Sequence, residues 1–107
     1  MTAREPTGDP DVFHEPAAHR YVLVGEGEII GVAEYVPSGD AHVFSHTEVD
    51  PAREGRGFGT RLMRACLDDA RRRGWRIVPR CSFVSAYIRR HPQYADLLVA
   101  GNGRPVT

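Results

Sequence analysis

Lysine is absent from this chain of 107 residues; all fourteen basic positions are arginine. A Walker-type phosphate loop, which needs Gly-Lys-Ser/Thr, is therefore excluded. Cysteine is scarce. Cys66 and Cys81 make neither a disulfide framework nor a four-ligand zinc site. The five histidines, His14, His19, His42, His46 and His91, show no paired metal-ligand spacing with them, so no metal is expected. No apolar run approaches the ~20 residues of a membrane span. The first ten residues carry charge and proline without an apolar segment, unlike a secretory leader. A soluble, cytoplasmic protein with no membrane partner is expected.

What is present is the balance of a globular domain. Hydrophobic residues make up 41% and charged residues 26%, and the length suits one domain rather than two. The formal net charge of zero hides an asymmetry. Residues 1–52 hold ten acids and two arginines, whereas residues 53–107 hold twelve arginines and four acids. The basic half suits either a polyanion or solvated helix faces. It lacks a nucleic-acid reading motif or an aromatic platform, so nucleic acid ranks last among the partners considered.

The chain divides by composition. Residues 1–18, with three prolines and four acids, are expected to form a flexible arm. A single domain is expected over residues 19–100, followed by a loose tail over residues 101–107. His19 to Val24 reads as a strand, Gly25-Glu26-Gly27 as a turn, and Glu28 to Val36 as a second strand. Ala41 to Val49 reads as a third. Leu62, Met63, Cys66, Leu67 and Ala70 then recur at helical spacing, and Gly74 suits the helix C-terminus. Trp75 to Val78 reads as a fourth strand and Phe83 to His91 as a second helix ended by Pro92. The expected fold is α/β (α+β): a mixed, mostly antiparallel sheet of four to five strands with two main helices.

The strongest local feature is Arg53-Glu54-Gly55-Arg56-Gly57-Phe58-Gly59-Thr60, between a strand and a helix. Glycines let a backbone approach a ligand, and the first amides of a helix have no internal partner. Such a loop suits a pyrophosphate. The Rossmann pattern Gly-x-Gly-x-x-Gly is not met, because the spacing here is Gly-x-Gly-x-Gly.

His46-Thr47-Glu48-Val49-Asp50-Pro51 followed by Gly55-Arg56-Gly57-Phe58-Gly59-Thr60-Arg61-Leu62 resembles the cofactor segment of the GNAT superfamily of acetyl-CoA-dependent N-acetyltransferases. That segment carries Arg/Gln-x-x-Gly-x-Gly/Ala at a helix start. Gly57 and Gly59 match its glycines, while Glu54 departs from its arginine or glutamine. Trp75 to Val84, Ala86-Tyr87-Ile88, His91-Pro92 and Tyr94 to Leu98 further resemble a compact subfamily that includes YjdJ-like and NATD-type proteins. The resemblance covers about residues 19–98. It implies a reduced acyl-CoA N-acyltransferase fold, with acetyl-CoA as co-substrate and an unidentified amine as acceptor. A small domain with an open cleft is compatible with a monomer.

The resemblance also distributes roles. Thr47 and Val49 would pair through their backbone with the pantetheine arm. Glu54, Gly55, Arg56, Gly57, Phe58, Gly59 and Thr60 would surround the pyrophosphate. His46 and Glu48, two apart on a strand and so on one face, are candidate bases. Cys81 either takes the acetyl group covalently or only lines the pocket. Tyr87 is a candidate acid for the leaving thiolate, with core packing as its alternative. Two other readings stand beside the enzyme: a CoA-binding module with little catalysis, and an arginine-rich nucleic-acid binder.

Overall fold

The β-rich run beginning near His19 finds partners on both sides. In the computed structural model, which describes residues 3–99, six strands form one sheet. They are β1 (Glu5–Pro6), β2 (Val12–Glu15), β3 (Arg20–Gly25), β4 (Glu28–Ser38), β5 (Ala41–Val49) and β6 (Arg76–Pro79), hydrogen-bonded in that order. All neighbours are antiparallel except β5 and β6, which are parallel. The parallel pair follows from its connection: α1 (Phe58–Arg73) carries the chain back over the sheet, as a strand–helix–strand crossover requires. α2 (Ser82–Arg90) and a final 3-10 segment (Pro92–Leu97) complete the fold.

Two sequence expectations are corrected here. The sheet has six strands, not four to five. The extra two come from residues 1–18, expected as a flexible arm. The run Val12-Phe13-His14-Glu15 adds to the edge of β3, burying Val12 and His14. Low apolar content concealed this because two short apolar positions suffice for an edge strand. The expected loose tail, residues 101–107, lies outside the described residues.

α1 starts at Gly57, whose left-handed φ of 77° reverses the chain, and ends at Gly74, φ 72°. There the amide of Gly74 donates to Arg71 and that of Trp75 to Ala70, the paired bonds of a glycine-terminated helix. Leu62, Met63, Cys66, Leu67 and Ala70 point at the sheet. They meet Tyr21, Leu23, Ala33 and Phe44 in the main core, together with Val84, Tyr87 and Ile88 of α2.

The charge asymmetry also resolves. All five arginines of α1 are paired: Arg61 with Asp11, Arg64 with Asp9, Arg71 with Asp96, Arg72 with Asp69, and Arg73 with Asp69 and Glu5. The acidic N-terminal segment thus lies along the basic helix. Asp69 is the buried anchor, accepting from the Tyr21 hydroxyl at 2.7 Å and from Arg73 Nε at 2.7 Å. Burial alone would raise its carboxyl pKa, but these donors outweigh that and hold it below the usual aspartate value.

Tyr21→Phe removes a hydrogen bond to a buried charge, and urea unfolding should show a loss of about 1.5–3 kcal/mol. Because the folded Asp69 is depressed, its stabilisation is present above the ordinary aspartate range and lost as pH falls through the folded value. An Asp69→Asn variant should therefore be less stable at neutral pH and lose less stability on acidification than the parent.

Candidate functional site

β5 is paired with β4 throughout but with β6 only from Ala41 to Phe44. The amide of Cys81 closes the last link by donating to the Phe44 carbonyl. Beyond that point the two parallel strands separate, and one edge of β5 is left open. A cleft of about 550 Å³ occupies the gap, within the range of small-molecule sites.

A single inserted residue decides what faces this cleft. Glu34 pairs with His46 but Tyr35 pairs with Phe44, leaving Ser45 as the extra residue of a bulge. Without it, His46 and Glu48 would share the core-facing side of Phe44. With it, Thr47 and Val49 turn inward while His46 and Glu48 lie on the outer face, 53% and 68% exposed. Their side chains approach to 3.5 Å.

The opposite wall is the start of α1. Its first helical bond runs from the Arg61 amide to the Gly57 carbonyl, so the amides of Phe58, Gly59 and Thr60 have no acceptor within the helix. Gly55 and Gly57 both adopt left-handed φ, and a Cβ at either would meet open space. Gly59 differs. A Cβ there would stand 2.8 Å from Phe83 Cζ, so this glycine allows α2 to pack against the first turn of α1.

The structure brings most of the predicted positions together. Thr47, Glu48, Val49, Glu54, Gly55, Gly57, Phe58, Gly59 and Thr60 all line the cleft. Arg56 does not, and is exposed. Glu48 is an exposed carboxylate, not a buried one. Tyr87 is not in the cleft: it is 2% exposed in the main core and stacks on His91 at 4.0 Å. The apolar face of α2 that carries Val84 and Ile88 draws it inward.

Four lining residues, Pro51, Arg53, Phe83 and Arg90, were absent from the expected set. Arg53 and Arg90 supply positive charge, and Arg53 is tied to Asp50 and Glu28. Neither sequence spacing nor composition signals that Phe83 crosses to Gly59.

Cys81 stands at the N-terminus of α2, in extended conformation. Burial pushes its thiol up. The amides of Val84 and Phe83, with the hydroxyl and main chain of Thr47, outweigh that and hold it below the ordinary cysteine value. The Thr47 hydroxyl is buried without a partner of good hydrogen-bond geometry, yet it lies close enough to act on this thiol. Cys66 is the converse case: complete burial pushes its thiol well up.

The fold is that of a mixed α/β acyltransferase. It is similar to the NMR solution structure of a GCN5-like protein from Staphylococcus aureus, with a TM-score of 0.61 and 21% identity, over 77% of this chain and 82% of that one. The model of the GCN5-related N-acetyl-transferase family matches residues 20–97. This chain belongs to that family. Among curated proteins, the mycothiol acetyltransferase of Nocardia farcinica (strain IFM 10152) is 46% identical over 55 residues, which is half of this chain. The match spans only 18% of that longer relative.

The two thiols should separate in alkylation. Native protein treated with iodoacetamide should be modified at Cys81 with a pH midpoint below that of a free cysteine, while Cys66 reacts only on unfolding. Peptide mass mapping across pH reads both; equal reactivity of the two would contradict these environments.

Proposed function

We propose that this domain binds acetyl-CoA in the cleft between β5 and α1 and transfers its acetyl group to an amine. The observation that carries this reading is the convergence of two unsatisfied backbone surfaces on one cavity. The open edge of β5 offers hydrogen-bonding groups at Thr47 and Val49 to an extended amide chain. The unpaired amides of Phe58, Gly59 and Thr60 offer the positive end of a helix to a diphosphate. Both glycines at the turn leave the space such a group needs. Arg53 and Arg90 add positive charge at the same cavity. Glu54, where the related segment carries arginine or glutamine, contributes no cation, so the amides and these arginines hold the anion. Ligands of parallel strands bind beyond their carboxyl ends, and the end of β5 is where this cleft opens.

The acetyl-CoA supplies a thioester, activated toward attack by nitrogen. The acceptor reaches the cleft as an ammonium and must lose a proton before its lone pair can attack. Glu48, lining the cleft and open to solvent, takes that proton directly or through water, and His46 at 3.5 Å passes it outward. The nitrogen then bonds to the acetyl carbon, the carbon–sulfur bond breaks and the nitrogen gives up its second proton to solvent, leaving an amide and a CoA thiolate. The thiolate is reprotonated from solvent, so the sum is one acetamide, one free thiol and one proton released.

Cys81 does not line the cleft itself but lies beside Thr47, which does, and is assigned to the thioester end of the site. Its depressed thiol suits a transient acetyl carrier. Trp75 to Val84, the segment that resembles a compact subfamily, carries this cysteine. Tyr87 is assigned to packing.

Acetyl-CoA at 100 times its dissociation constant should raise stability by about 2.7 kcal/mol, read as a shift in thermal unfolding. With a reactive amine present, free thiol should accumulate, and Glu48→Gln should lower kcat at least tenfold while leaving the thermal shift intact. Binding without thiol release across a broad amine panel would favour a CoA-binding module without catalysis.

A further inference from the structure

Three imidazoles from distant parts of the chain gather around one phenol. The rings of His14 on β2, His19 at the turn between β2 and β3, and His42 on β5 lie 5.7, 5.7 and 5.4 Å from the ring of Tyr35 on β4. Trp75 closes the group, stacked on His42 at 3.6 Å and edge-on to His14 at 5.5 Å. His14 lies deepest, 1% exposed. Its Nε2 shares a hydrogen bond of 2.6 Å with the Tyr35 hydroxyl, and its ring stacks on Tyr21 at 4.5 Å. The proposed acetyl transfer uses none of these side chains.

The cluster suits neutral rings and not charged ones. The Nδ1 atoms of His14 and His42 are both buried without a hydrogen-bond partner. A second proton on His14 would place a cation among Glu5 of β1, Tyr21 of β3, Tyr35 of β4, His42 of β5, and Asp69 and Arg73 of α1. Glu5 Oε1, 3.6 Å from His14 Nδ1, already accepts from Arg73 at 2.6 Å. Asp69 is likewise committed to Tyr21, Arg72 and Arg73. Burial and then the Arg73 guanidinium hold the His14 pKa below the ordinary imidazole value. Burial and the neighbouring imidazoles do the same for His42. The unfolded chain therefore binds more protons than the folded one as pH falls from the ordinary imidazole value, and the packing of these rings weakens over that range.

The element that weakens with it is the N-terminal strand pair. Val12 and His14 anchor β2 in the domain, and β1 lies outside it at the sheet edge. The same segment covers α1: Asp11 meets Arg61, Asp9 meets Arg64, the Thr7 carbonyl accepts from Arg72, and Glu5 meets Arg73. Such exposed contacts hold weakly by themselves. We infer that β1 and β2 form an acid-released clasp: charging His14 within the histidine cluster frees this strand pair from the edge of β3 and uncovers four arginines along α1, while β3 to β6 stay paired.

Amide hydrogen exchange followed by NMR at about pH 7.5 and about pH 5.5 tests the clasp, with each rate compared to its intrinsic value at that pH. Protection over Val12–Glu15 should fall at least tenfold on acidification, while that of β4 and β5 changes less than threefold. His14→Gln keeps a hydrogen-bonding group for Tyr35 but takes no charge, so in that variant the loss over β2 should shrink below threefold. If the variant does not fold, the His14 ring shifts in the unaltered protein decide, and they should move through the same pH step as the β2 amides. Unchanged protection of β2, an undiminished loss in the glutamine variant, or a His14 ring that titrates apart from β2 would overturn the inference. So would an equal loss across all six strands, which is general unfolding.

Discussion

The structure turns on one unequal pairing: β5 is held along its whole length by β4 but by β6 for only four residues. Once α1 has carried the chain back to form a parallel neighbour, the two strands part after Phe44, because β6 ends at Pro79 and the chain turns into α2 at Ser82. The parting leaves an edge with unspent hydrogen-bonding groups facing helix amides in the same condition. Buried backbone groups without partners are costly, so such an edge persists where water or a ligand completes it. The Ser45 bulge acts on the same strand. It turns Thr47 and Val49 to the inner wall and places the carboxylate and imidazole on the outer face.

The rest of the domain keeps that parting open. Gly59 lets Phe83 seat against the first turn of α1, fixing α2 across the far side of the cleft. On the opposite flank the N-terminal strands and their acids run along the arginines of α1. Exposed pairs of this kind contribute little singly, of order 0–1 kcal/mol. The buried Tyr21–Asp69–Arg73 group is the stronger fastening and ties β3 to the last turns of the helix. With every arginine of α1 committed to a carboxylate, the basic half of the sequence is not a free cationic patch on that helix. The charge asymmetry is an internal complementarity between early and late segments.

Much of this was legible in the residues. The strand Ala41–Val49 was read to its bounds, and Gly74 was correctly placed at the end of the first helix, since an apolar stripe ending in arginines and glycine admits few other readings. The glycine loop between strand and helix located the cleft. What escaped were features set by distant partners. The strands of the N-terminal segment depend on an edge of β3 that no local pattern reveals. Ser45 has no signature of a bulge; the bulge is visible only in the register with β4. Tyr87 lay on a helix whose two faces the sequence left open, and packing against His91 and the core decided between them. Phe83 and Arg90 enter the site through the crossing of α2, a tertiary fact.

The central claim is that two backbone surfaces close on one carrier molecule. Backbone amide NMR during titration with acetyl-CoA tests it most directly. Saturable shifts should concentrate at Thr47 and Val49 on the strand and at Phe58, Gly59 and Thr60 on the helix, with the amides of β1 and β2 unmoved. Shifts confined to one of the two surfaces, or centred elsewhere in the domain, would contradict the account.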